Sequence, residues 1–88
     1  MDLSRHVQEE LERRGIRTAW VWRAVQDPDT TERASDGTVH YIKRQPGPRG
    51  RYLRVIVNPR QQPPRIATAF FDVRLRRRAR PVDEPPSD

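Results

Sequence analysis

Two histidines, His6 and His40, are the side chains of this 88-residue chain best suited to exchange a proton near neutral pH, because an unperturbed imidazole titrates near about 6.5. A second unit is Tyr52 with Arg54. Two residues apart in an extended segment, they share one face, opposite Leu53, Val55 and Val57. An arginine fork grips a phosphate through two donors, and a neighbouring tyrosine can stack on a base or offer its hydroxyl. Proton transfer beside an anchored phosphate is the chemistry that these residue types could support. Other chemistries lack their parts. With no cysteine, thiolate nucleophiles, thiolate zinc sites and disulfides are excluded. The sequence has no phosphate-binding glycine loop, no HExxH and no serine-centred elbow.

The charge distribution points to the same kind of partner. Between Lys43 and Arg80 stand twelve basic residues and one acidic residue, Asp72; the first 38 residues carry six basic against eight acidic. The formal charge of +6 averages over these two halves. Arginine supplies 17 of the 18 basic residues. Codon bias explains arginine in place of lysine, but it does not explain the clustering. A basic, strand-forming half attracts polyanions, of which nucleic acid is the commonest. Lys43, Arg51 and Arg65 are placed to track a nucleic-acid backbone, with Arg76, Arg77 and Arg78 as a solvated electrostatic arm. So few acids in this half do not make a two-metal nuclease site, and no metal or cofactor is expected.

The elements that must position these residues follow from periodicity. Leu3, Val7 and Leu11 recur every four residues and predict a helix over 3–14, with Asp2 or Ser4 as its cap and Gly15 as the left-handed residue that ends it. Thr18 is expected to cap a second helix over 19–26, stopped by Asp27-Pro28, with Val21, Trp22 and Val25 as its apolar face. The period then changes to two, giving strands over 30–34, 38–44, 51–58 and 66–71. Trp20, Trp22, Phe70 and Phe71 are expected to supply much of a small core. The reading is an α+β domain over 1–80, with two N-terminal helices covering one face of a three- to four-stranded antiparallel sheet. Residues 81–88, with three prolines and three acids, read as a disordered tail. No apolar run approaches the roughly 20 residues of a membrane span, and the opening does not read as a signal peptide, so a cytoplasmic location is expected.

The order of short motifs resembles a known family. Ser4-Arg5-His6 opens the first helix, Arg13-Arg14-Gly15-Ile16 closes it, and Val25-Gln26-Asp27-Pro28 ends the second. Gly37 then precedes Tyr41, and the segments Tyr52–Val57 and Arg65–Phe70 follow as strands. This series resembles the bacterial family called domain of unknown function 4258, which is itself similar to the BrnT and RelE toxins of toxin–antitoxin pairs. The resemblance implies a RelE-like fold whose open sheet face binds RNA and cleaves it without metal. Such cleavage needs a base for the 2′-hydroxyl, an acid for the leaving 5′-oxygen and cations for the phosphorane. Within that scheme His6, flanked by Glu10 on its helix, serves in proton transfer, Arg54 holds the phosphate and Tyr52 contacts the substrate. His40 and Thr68 are further candidates whose facing depends on strand register. The implied partners are RNA, such as ribosome-associated mRNA, and an acidic antitoxin. The alternative is a non-catalytic basic module that binds nucleic acid or protein through the same sheet.

Overall fold

The computed structural model describes residues 1–47 and 50–75. The expectations for Arg76, Arg77, Arg78 and the 81–88 tail lie outside the described residues. Helix α1 runs Arg5–Arg13. Ser4 caps it in an extended conformation, its hydroxyl accepting from the Val7 N–H at 3.2 Å. At the other end Gly15 takes φ +70°. Its N–H returns to the Glu12 carbonyl at 3.0 Å, while Ile16 N–H reaches the Leu11 carbonyl at 2.9 Å. These two bonds form a Schellman closure, and Ile16 enters the core behind it.

Helix α2 spans Thr18–Gln26. Its cap is Arg17 and not the expected Thr18, and no side chain bonds the free N–H groups there. Because the Schellman closure anchors Ile16, a single extended residue separates it from the next helical turn. Starting there brings Val21 and Ala24 fully inward, with Trp20, Trp22 and Val25 packed around them.

Four strands follow, β1 Thr30–Arg33, β2 Val39–Arg44, β3 Tyr52–Asn58 and β4 Arg65–Phe71, in the spatial order β1-β2-β3-β4 with every pair antiparallel. The result is an α+β domain with both helices on one face of the sheet. There α1 packs against β4, and α2 against β2 and β3. Leu53, Val55 and Val57 point into this layer and meet Val7, Leu11, Ile16, Val21 and Ala24. The pairing of β3 with β4 shifts at Ile56/Val57, so Ile56 faces Thr68 while Val57 faces Ile66. Ala67 is the extra residue. A bulge of this kind lets Ile66 and Ala69, three positions apart, both reach the core.

The outer edge of β4 is covered. Asp2 bridges to Arg65 through Asp2 N–H to Pro64 O (2.8 Å) and Ile66 N–H to Asp2 O (2.9 Å), and Arg14 Nη1 donates to Ala69 O at 2.9 Å. No helix among the described residues is long and apolar enough to cross a membrane.

Candidate functional site on the open sheet face

Alternation along β3 sends Tyr52, Arg54 and Ile56 to the face away from the helices. Arg54 pairs across to Ile42 and Phe70, and His40 pairs with Ile56, so all five share that face. His40 also stands directly opposite Glu32 of β1 and diagonal to Arg54, within reach of long side chains. Three neighbouring strands thus deliver a carboxylate, an imidazole and a guanidinium to one spot.

Their contacts are close. Arg54 Nη1 lies 3.1 Å from Glu32 Oε1 and 2.8 Å from His40 Nδ1, while Nε donates to Asp72 Oδ2 at 2.8 Å. Its Nη2 makes no hydrogen bond with any described residue. Arg54 is 8% exposed and Asp72 3%. Asp72, the single acid of the basic half, is therefore nearly buried against Arg54. Its Oδ1 accepts the N–H groups of Arg74 at 3.0 Å and Leu75 at 3.4 Å, so the same carboxylate holds the turn that follows β4. Burial alone would raise the Asp72 pKa. The hydrogen bonds from Arg54 and Leu75, the Arg54 charge and the bond from Arg74 outweigh it and hold the carboxyl below its usual range.

Beside this network opens a cavity of about 350 Å³, lined by Glu32, His40, Arg54 and Asp72 together with Phe70, Arg74 and Leu75. Two cations and two carboxylates balance in it. Glu32 is the carboxylate on the solvent side, with a half-exposed side chain. Phe70 departs from the expectation that all four large aromatics fill the core. Facing Arg54 across β3–β4, it lies outside the core cluster, whereas Phe71, one residue on, packs against it beside Trp20 at 6.4 Å between ring centroids.

The sequence-level candidates are distributed as follows. Arg54 and His40 are in direct contact, and Tyr52 shares their face, half-buried, its carbonyl accepting the Asp72 N–H at 2.9 Å. His6 is exposed on α1, across the sheet from Arg54, with no hydrogen bond to a described residue. Glu10, expected to orient His6, instead binds Arg14 at 3.4 Å and Thr68 at 3.1 Å. Thr68 also accepts from Arg14 at 2.9 Å, so it ties α1 to β4. Lys43 points to the helical side, its ammonium 2.9 Å from Asp27 O and 3.4 Å from the Asp27 carboxylate. Arg51 stacks over Phe71 at 3.9 Å, and Arg65 pairs with Asp2 at 3.7 Å. The residues that sequence reasoning missed are Glu32, Phe70 and Asp72. Asp72 did carry a signal, as the one acid in a block of twelve bases.

Among the described residues no group of three or more His, Asp and Glu side chains is arranged to hold a metal ion. The carboxylates of the cavity are bridged by a guanidinium, which takes up the charge a cation would otherwise neutralise.

A small α+β domain with two helices on one sheet face and a paired, arginine-centred cavity on the other is the class that this fold and site define. The family model described as a domain of unknown function, DUF4258, matches residues 3–71, and the chain belongs to that family. No curated protein and no solved structure matches it.

Proposed function

We propose that this domain binds RNA on the open sheet face and cleaves it without a metal, as a relative of the BrnT and RelE toxins, with Glu32, His40 and Arg54 as its catalytic residues. The observation that carries the reading is the convergence of Glu32 and His40 on Arg54 Nη1, at 3.1 and 2.8 Å, beside a cavity of about 350 Å³. Glu32 accepts the proton of the 2′-hydroxyl as that oxygen attacks phosphorus. Arg54 holds the charge of the phosphorane. Protonated His40 returns a proton to the departing 5′-oxygen. The products are a 2′,3′-cyclic phosphate and a 5′-hydroxyl, so protons and bonds balance without a co-reactant. Phe70 offers an aromatic face on the same side of the sheet for a base to stack on. The basic surplus between Lys43 and Arg80 supports a polyanionic substrate, and equally an acidic antitoxin that would cover the same face. Incubating the purified protein with RNA in EDTA tests the reading: wild type cleaves, and Glu32→Gln and His40→Ala do not.

A second reading has its own support. Arg54 is nearly buried and already engaged with two carboxylates, as it would be in a purely architectural network. On that reading the domain is a non-catalytic module that binds nucleic acid or an acidic protein. For nucleic acid it predicts binding that weakens steeply with salt and no strand scission.

A further inference from the structure

His40 contacts a hydrogen-bonding group at each ring nitrogen, and the identity of those groups decides where its proton sits. On one side stands Arg54 Nη1, 2.8 Å from Nδ1. A guanidinium can only donate, so Nδ1 must accept there. On the other side Thr38 Oγ1 lies 3.2 Å from Nε2. That hydroxyl has one proton, and it is spent on Asp36 Oδ1 at 2.6 Å, which also accepts the Thr38 N–H at 2.9 Å. The Asp36 carboxyl is held below its usual range, chiefly by the Thr38 hydroxyl and then by the Thr38 backbone bond. It is therefore an ionised acceptor near neutral pH. Only lone pairs of Oγ1 are left for His40, so Nε2 must donate. Two independent constraints, one from each side of the ring, demand the same tautomer.

We infer that Asp36 and Thr38 are positioning residues that commit the Nε2 proton of His40 to the β1–β2 turn and leave Nδ1 as the nitrogen that exchanges a proton in the cavity. The hairpin that joins β1 to β2 is then part of the site. Gly37 makes its turn at φ +91°, and Arg60 donates to the Asp36 carbonyl from the far end of β3, so the turn is held from two sides. The arrangement has a mechanistic consequence. When Nδ1 takes up a proton, it becomes a donor facing the Arg54 Nη1 donor, and their contact must break. The same event that loads the acid also frees a guanidinium N–H for the phosphate. This consequence rests on the proposed nuclease reading. The tautomer does not.

The test separates the two. In the His6→Gln background the chain has one histidine, and the nitrogen-15 shifts of its imidazole report the tautomer without any RNA. The expected result is a protonated Nε2 and an unprotonated Nδ1 in the neutral ring. In the near-isosteric Thr38→Val, solvent exchange of the Nε2 proton should quicken at least roughly tenfold, with Thr38→Ser restoring it. Asp36→Ala should act in the same direction as Thr38→Val, through a different side chain. In the cleavage assay, with His6 intact, Thr38→Val should lower kcat by roughly ten- to a hundredfold with KM unchanged, the range found when a partner that orients a metal-bound histidine is removed. A proton on Nδ1, or exchange that Thr38→Val leaves unchanged, overturns the inference. If His40→Ala cleaves RNA as wild type does, the nuclease reading falls while the tautomer result stands.

Discussion

Arg54 Nε lies 2.8 Å from Oδ2 of Asp72, a carboxylate 18 residues further along the chain and the single acid between Lys43 and Arg80. Both are nearly buried, so the most basic segment of the chain places its one negative charge where a buried arginine needs it. Removing one member of a buried pair strands the other charge, at a cost of roughly 3–5 kcal/mol. Asp72→Ala should lose about 3 kcal/mol, the lower end of that range, because Glu32 still holds Nη1. Urea unfolding of Asp72→Ala and of the double variant Asp72→Ala/Arg54→Met checks this. The double variant should be the more stable of the two.

The same carboxylate sets an acid limit on stability. Its pKa is lower in the folded protein than in the unfolded chain, where about 3.9 is usual. Its contribution is therefore complete above that unfolded value and is lost as the pH falls through the lower folded value. Unfolding free energy measured between pH 2 and pH 6 should rise with pH at the acid end. Asp72→Asn should flatten that rise.

Gly15 ends α1 at φ +70°, and a Cβ added there meets no atom within 4 Å. Gly15→Ala thus carries a backbone penalty alone, of about 1–2 kcal/mol. The unfolding midpoint should fall accordingly, with the fold retained.

Neighbouring phenylalanines should behave differently. Phe70 lines the cavity and Phe71 packs on the core beside Trp20. Base–aromatic stacking is worth about 1–3 kcal/mol, so Phe70→Leu should weaken binding of a non-cleavable 2′-deoxy oligonucleotide by roughly five- to a hundredfold. Phe71→Leu should instead lower stability and leave the affinity of the folded protein near wild type. Titration by fluorescence anisotropy, paired with thermal melts, distinguishes the two.

Much of the fold was legible because each element carries its own period. Val7 and Leu11 wrote α1, although Leu3, read with them, falls before the Ser4 cap, and the alternation of Leu53, Val55 and Val57 against Tyr52, Arg54 and Ile56 wrote β3. The site was legible only in part, because its partners are set by register. Whether His40 meets Arg54 depends on a pairing in which one residue of slip would turn it to the helices. Phe70 and Thr68 lie beyond a bulge at Ala67 that periodicity does not announce. Glu32 gains its meaning only when the β1–β2 hairpin sets it opposite His40. The place of His6 could have been read. The alternation that takes Arg54 out of the core also takes it away from the helices that cover that core, and His6 is on one of them.

The most direct test of the proposed site is RNA cleavage in EDTA by wild type, His40→Ala, Glu32→Gln and His6→Ala. The account predicts scission to cyclic-phosphate ends by wild type and by His6→Ala, with losses of roughly 10²–10⁴-fold for the His40 and Glu32 variants. Cleavage by His40→Ala and Glu32→Gln at the wild-type rate would contradict it, as would RNA that stays intact with the wild-type protein.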